Sequence, residues 1–297
     1  MLRYAAIDIG SNAVRLLIAD IIINGKTVSF KKNTLLRVPL RLGDDAFLHQ
    51  YISPGKREDL VKTMQAFRGL MDVYKVTEYM ACATSAMREA GNGAEIVSQI
   101  KAAGIDLQII DGDLEAAIIY NSHADVGMES GKCYLYIDVG GGSTELSVFA
   151  DGRLIASRSF NLGTIRILDN QDKESTWDEM RSWLKQQTAR RNNIIGVGTG
   201  GNINKIAKMV NDKEVKVLTL DQLKNTYRYL NSFPLKDRIR VLGLKEDRAD
   251  VIIPACEIFV TVLQWAKAKK IIVPKSGLVD GVIQTLIDRK FRKSEPR

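Results

Sequence analysis

Hydrophobic positions along the chain fall into two kinds of run that take turns. Short runs that are continuously apolar or alternate with polar residues predict strands at Val14 to Ile23, Tyr79 to Ala83, Leu107 to Ile110, Tyr136 to Val139, Glu145 to Ala150, Arg153 to Phe160, Ile194 to Val197 and Ile271 to Val273. Thr27 to Lys31 and Asn33 to Arg41 also alternate and predict two further strands. Longer stretches carry apolar residues at helical spacing. Gly55 to Tyr74, with Leu60, Met64, Phe67, Leu70 and Met71 on one stripe, predicts a helix, as do Ala94 to Ala103, Leu114 to Ser122, Trp177 to Arg190, Leu220 to Phe233, Ala249 to Ala268 and Gly281 to Lys290. Gly43-Asp44-Asp45 and Ser53-Pro54-Gly55 read as turns, and Asp111-Gly112-Asp113 as a turn and N-cap. Strands alternating with helices place the chain in the α/β class.

The pattern is duplicated. Ala6-Ile7-Asp8-Ile9-Gly10-Ser11-Asn12 and Tyr136-Ile137-Asp138-Val139-Gly140-Gly141-Gly142-Ser143-Thr144-Glu145 each deliver an aspartate from an apolar strand into a turn of small residues. A second strand follows each and ends in a hairpin signal, Asn24-Gly25 and Asp151-Gly152. Two such units imply two similar lobes, 1–125 and 126–297, facing a shared cleft, with the polar stretch His123 to Lys132 as the boundary.

With 297 residues, 45% hydrophobic and 26% charged, the chain can bury two cores and has no low-complexity tract. No apolar run approaches a membrane span and no signal-peptide pattern opens the sequence, so the expected location is cytoplasmic, without membrane contact. Cys82, Cys133 and Cys256 lie far apart inside or beside apolar segments and read as reduced and structural. His49 and His123 are the two histidines, and neither sits near a motif, which sets aside histidine catalysis and zinc. The net charge of +8 favours a polyanionic partner. Without a basic arm, finger or aromatic ladder, a phosphate-rich small or linear substrate fits better than duplex nucleic acid.

Glycine is needed where backbone amides must approach an anion, so Gly140, Gly141 and Gly142 with Ser143 and Thr144, and Ser11 and Asn12 in the other copy, are candidate phosphate ligands. Gly200, Gly201 and Asn202, between a strand and a helix, form a third candidate set. Arg15 and Arg88 have the fork suited to phosphate. Asp8 and Asp138, at strand ends before the turns, can hold Mg2+, with Mn2+ as a substitute. Glu145 points either toward the cleft or outward. Glu115, at the start of its helix, is either a water-activating base or an ordinary helix N-terminal charge.

Taken in order, Ile7 to Asn12 with Arg15, Ala83-Thr84-Ser85-Ala86-Met87-Arg88-Glu89-Ala90, Gly112 with Glu115-Ala116, Asp138 to Glu145, Leu162-Gly163-Thr164-Ile165-Arg166, Gly198-Thr199-Gly200-Gly201, Arg248-Ala249-Asp250 and Ser276-Gly277-Leu278 with Asp280-Gly281 resemble the exopolyphosphatase and guanosine pentaphosphate phosphohydrolase (Ppx/GppA) family. The resemblance implies two actin-like (ribonuclease H-like) lobes, each a mixed sheet with flanking helices, around a central cleft. It also implies Mg2+-dependent release of a terminal phosphate from polyphosphate or pppGpp. By position it implies Glu115 as the catalytic glutamate, Asp138 and Glu145 as metal carboxylates and Arg88 as a phosphate ligand. Leu114, Asn202 and Val279 depart from the family's usual residues, and the resemblance is to the short members, for which no extra C-terminal helical domains are expected.

The leading expectation is an exophosphatase. A sensor that binds guanosine polyphosphate or polyphosphate with little turnover is the alternative, motivated by the three departures. A kinase of the same superfold is a third reading, disfavoured because no adenosine-pocket signature is recognisable. A homodimer is suggested by analogy of fold alone.

Overall fold

The computed structural model describes residues 2–25, 27–121, 129, 131–210, 217–274 and 276–291. It divides into two units. Unit 1 is Met1–Ala124 with Gly277–Arg297, and unit 2 is Asp125–Ser276.

Unit 1 is built on β1 (Leu2–Ile9), β2 (Val14–Asn24), β3 (Thr27–Val38), β4 (Glu78–Ala83) and β5 (Leu107–Ile109), in the spatial order β3-β2-β1-β4-β5. The first three strands pair antiparallel through tight turns, and β4 and β5 join parallel after helical crossovers. Its helices are α1 (Leu42–His49), α2 (Pro54–Val73), α3 (Ser85–Glu89), α4 (Gly93–Ala102) and α5 (Gly112–Asn121), with the C-terminal α13 (Leu278–Phe291).

Unit 2 repeats the plan. β6 (Cys133–Val139), β7 (Thr144–Ala150), β8 (Arg153–Phe160), β9 (Ile194–Thr199) and β11 (Lys270–Ile272) lie in the corresponding order, and β10 (Val217–Thr219) adds an antiparallel edge. Its helices are α6 (Thr164–Leu168), α7 (Glu174–Thr188), α8 (Gly201–Val210), α9 (Leu220–Asn231), α10 (Leu235–Arg240), α11 (Glu246–Ala249) and α12 (Ile252–Trp265). The apolar α12 runs through the middle of this core. The expected pair of actin-like mixed sheets with flanking helices is therefore present.

The duplication extends to irregularities. Asn33 is skipped where Ile18 pairs Thr34 and Ala19 pairs Lys32; Ile155 is skipped where Val148 pairs Ala156 and Phe149 pairs Leu154. Each sheet thus has a bulge at the same place, and the bulge at Asn33 explains why one continuous strand reads in the sequence as two.

Three further expectations are corrected, and two short elements were not foreseen. Gly43-Asp44-Asp45 is the first turn of α1, where both acids face the positive helix end, rather than a loop. The run Ala249 to Ala268 is broken between α11 and α12, where the Asp250 carboxylate accepts from the Val251 amide. α10 and β10 have too few residues to show a period. Finally, the division 1–125 and 126–297 assigns the last helix to the second lobe, whereas α13 belongs to unit 1. Its residues Leu278, Val282, Ile283, Leu286 and Ile287 join Tyr4, Leu17, Cys82, Ile118 and Ile119 in one apolar cluster. The boundary near residue 125 and Ser122 of the fifth helix lie outside the described residues.

Candidate active site

Both hairpin turns are closed by the same bond. The Gly10 amide donates to the Ala13 carbonyl at 3.2 Å, and the Gly140 amide donates to that of Ser143 at 2.9 Å. This places Asp8 opposite Arg15 in unit 1 and Asp138 opposite Glu145 in unit 2. The register had a signal in the sequence, since each pair is equally spaced from its turn.

Cross-strand partners share a face, so the register builds one polar row across each sheet. In unit 2 the row is Ser159, Glu145, Asp138 and Thr199 on β8, β7, β6 and β9. The Ser159 hydroxyl donates to Glu145 Oε1 at 2.8 Å, and the Glu145 side chain is buried. Thr199 is 1% exposed, and its hydroxyl has no hydrogen-bond partner among the described residues. In unit 1 the matching row is Arg37, Arg15, Asp8 and Cys82. There the Arg15 guanidinium forms an ion pair with Asp8. Asp8 and Arg15, expected as a metal ligand and a phosphate ligand, thus engage each other.

The glycine turn of unit 2 is held by the segment entering α6. The Gly140 carbonyl accepts from the Thr164 amide at 3.0 Å and the Gly141 carbonyl from the Ile165 amide at 2.8 Å. The Gly142 carbonyl accepts from Arg166 Nε at 2.6 Å. In a trans peptide the N–H points opposite to the C=O, so the amides of Gly141, Gly142 and Ser143 all point away from α6. Such a row of amides is an anion nest. The approach needs glycine at 163, because a Cβ there would lie 2.3 Å from the Gly141 carbonyl oxygen. Thr144, fully buried, donates to the Leu162 carbonyl, so its hydroxyl is occupied structurally.

In unit 1 the Ser11 carbonyl accepts from Gly43 N at 2.9 Å and the Asn12 carbonyl from Arg41 N at 3.0 Å, which turns the amides of Asn12 and Ala13 away from α1. The Ser11 hydroxyl is within 2.9 Å of that of Ser85, tying this turn to the start of α3. From α3, Arg88 Nη1 donates to the Ile110 carbonyl at 2.7 Å, just ahead of α5. Asp111 caps α5 by accepting from the Leu114 amide at 2.8 Å. Glu115, on the first turn, is 8% exposed, whereas Leu114 beside it is 44% exposed, so that departure falls on the outer face of the helix. Burial, then the charges of Asp8, its cross-strand partner, and of Glu115, push the Cys82 thiol up to about 12.

The third candidate turn takes a left-handed backbone at Gly200, φ +91°, where a Cβ would lie 2.8 Å from Asp138 Oδ1. Arg248 Nη1 donates to the Gly201 carbonyl at 2.7 Å as α8 begins, and Asn202 follows on its first turn. Val279 is buried within the unit 1 cluster. The three cysteines are free and buried. Among the described residues, no group of three or more His, Cys, Asp or Glu side chains is placed to hold a metal, and no helix is long and apolar enough to cross a membrane.

Two ribonuclease H-like sheets, each with an aspartate leading into a glycine turn, define a protein of the actin-like fold. Residues 22–290 match the model of the Ppx/GppA phosphatase family, and the chain belongs to that family.

Among curated relatives, Exopolyphosphatase 1 of Mycobacterium tuberculosis is 23% identical over 97% of this chain and 89% of its own length. The Guanosine-5'-triphosphate,3'-diphosphate pyrophosphatase of Pseudoalteromonas translucida is 25% identical over 96% of this chain and 59% of its own. The Bifunctional 3-dehydroquinate synthase/phosphatase of Fusobacterium nucleatum is 25% identical over 96% of this chain, which spans about half of that relative, 47%. Of solved structures, an exopolyphosphatase from Cytophaga hutchinsonii superposes with a TM-score of 0.83 at 25% identity, covering 97% of this chain and 98% of that one. The Aquifex aeolicus family member superposes with a TM-score of 0.77 at 24% identity over 99% of both chains.

Proposed function

We propose that the chain is a phosphoanhydride hydrolase that releases terminal phosphate from inorganic polyphosphate, short chains included, or from pppGpp, with Mg2+ as cofactor. The observation that carries the reading is in unit 2, where an anion nest stands beside two facing carboxylates. Asp138 and Glu145 are direct cross-strand partners on β6 and β7, which sets two carboxylates side by side at the mouth of the glycine turn. Mg2+ is commonly held by one or two carboxylates together with substrate phosphates, so this donor set fits the ion. When bound, Mg2+ supplies charge neutralisation at phosphate oxygens.

The protein's own groups divide the remaining work. The amides of Gly141, Gly142 and Ser143 donate to phosphate oxygens, most strongly as negative charge gathers on the transferring phosphoryl. The Gly200, Gly201 and Asn202 turn, at the positive end of α8, and the amides of Asn12 and Ala13 hold further phosphates. Arg88 keeps one guanidinium edge on the Ile110 carbonyl and presents the rest to phosphate. Glu115 orients a water and takes its proton as the new bond to phosphorus forms. The relatives named exopolyphosphatase and pyrophosphatase support the substrate class.

The test is phosphate release by the purified chain with Mg2+ on tripolyphosphate, long-chain polyphosphate and pppGpp in parallel. Release that is lost in Glu115→Gln supports the hydrolase and ranks the substrates. Binding of one of them without release on any would instead favour the sensor, motivated by the departures at Leu114, Asn202 and Val279, of which Asn202 lies in a candidate phosphate turn.

A further inference from the structure

We propose that Arg166 is a positioning residue for the unit 2 anion nest: by holding the Gly142 carbonyl it aims the Ser143 amide at a bound phosphate. The inference rests on the reading of this turn as a phosphate site and extends it to a side chain that does not itself touch substrate.

Three observations carry it. First, Arg166 is 8% exposed, an unusual place for a guanidinium, and it donates through Nε to a backbone carbonyl at 2.6 Å. Arginine is almost never buried without a polar partner that requires it there. Second, the carbonyls of Gly140 and Gly141 are secured by backbone amides of the α6 segment, and Gly142 is the one whose carbonyl is secured by a side chain. Without that bond the peptide between Gly142 and Ser143 is free to rotate between two low-Cβ-strain glycine conformations, and the Ser143 amide loses its direction.

Third, unit 1 solves the same problem by other means. The residue matching Gly142 is Asn12, and its carbonyl accepts from the backbone amide of Arg41. To deliver that amide Arg41 adopts a left-handed backbone, φ 49°, uncommon for a residue with a side chain. Unit 2 has the extended backbone of Gly163 at the corresponding entry to its helix and uses the Arg166 side chain for the remaining carbonyl. Two unrelated devices fixing the same carbonyl mark its orientation as a requirement of the turn.

The experiment measures tripolyphosphate binding by calorimetry, and phosphate release with Mg2+, for the full chain and for Arg166→Met, Arg166→Gln and Arg166→Lys. Methionine keeps the length without a donor, and glutamine stops short of the carbonyl. Both should weaken tripolyphosphate binding tenfold or more at unchanged stoichiometry, with a matching rise in KM. Lysine, which can still donate and keeps the charge, should recover part of the affinity. A merely structural role would lower the folded fraction, and so the stoichiometry, while leaving the affinity of the folded molecules as it was. Wild-type affinity in either folded neutral variant overturns the positioning role alone. Neither binding nor release by the unaltered chain would overturn the phosphate reading on which the role depends.

Discussion

Arg15 and Glu145 occupy the same place in two matching sheets. Each is the second residue of the second strand of its hairpin, each lies opposite the aspartate of the first strand, and the two carry opposite charge. One sheet therefore neutralises its aspartate internally through the Asp8 and Arg15 pair, while the other sets carboxylate against carboxylate. A single difference at matched positions separates an ion pair from two facing carboxylates, the pair proposed above to hold the cation.

That asymmetry predicts where metal dependence resides. Asp138→Asn or Glu145→Gln should raise the Mg2+ concentration for half-maximal phosphate release by about 10-fold or more, the scale on which changes around a metal act. Asp8→Asn should leave the Mg2+ midpoint in place, because its carboxylate already has a cation in Arg15. Magnesium titrations of the three variants decide this, and an equal shift in Asp8→Asn would assign the metal to both aspartates.

Glu115→Gln keeps the shape of the buried side chain and removes the carboxylate proposed as base. Turnover on the best substrate should fall by about 100-fold or more while KM stays close to that of the unaltered chain, as for the loss of a general base. Steady-state kinetics on tripolyphosphate measure it; unchanged turnover would return Glu115 to a helix N-terminal charge.

Gly281→Ala should destabilise unit 1. A Cβ at that position would lie 1.9 Å from the Ile118 carbonyl oxygen, backbone that cannot move aside without separating α13 from α5. A cost of about 3 kcal/mol, the upper part of the usual overpacking range, is expected in chemical denaturation. Gly55→Ala meets nothing within 4 Å, lies within α2, and serves as the neutral control.

Burial pushes the thiols of Cys82 and Cys256 up to about 12. A pKa raised in the folded state contributes stability that is whole below the unfolded thiol value, about 8.5, and is lost as pH rises toward the folded one. Stability should therefore decline between those two values, and less steeply in Cys256→Ala, when denaturation midpoints are followed with pH. At pH 8 an aromatic disulfide reagent should leave both thiols unmodified in the folded chain and label them after unfolding.

Much of this was legible in the sequence, because two properties are local. Strand and turn chemistry around Asp8 and Asp138 repeats in the residues themselves, and the repeat foretells the repeated strand order. What escaped depends on distant partners. Asp44 and Asp45 look like turn residues until the backbone of Arg41 places them on a helix. Nothing in the period of α13 says which sheet its apolar side covers. Arg166 sits in a recognisable run, yet its role comes from a carbonyl more than twenty positions earlier. Thr199 becomes notable only when β9 is laid beside β6.

The return of α13 to unit 1 has a consequence for synthesis on the ribosome. Unit 2 is continuous in the chain, so everything its core needs has been made by the time Ser276 is added. Unit 1 lacks the helix that closes the apolar face around Tyr4, Leu17 and Cys82 until α13 has been made, after the whole of unit 2. The later-made unit can therefore complete its fold before the earlier one, and the nascent chain must carry an open hydrophobic face while all of unit 2 is synthesised, the condition under which chaperones are recruited.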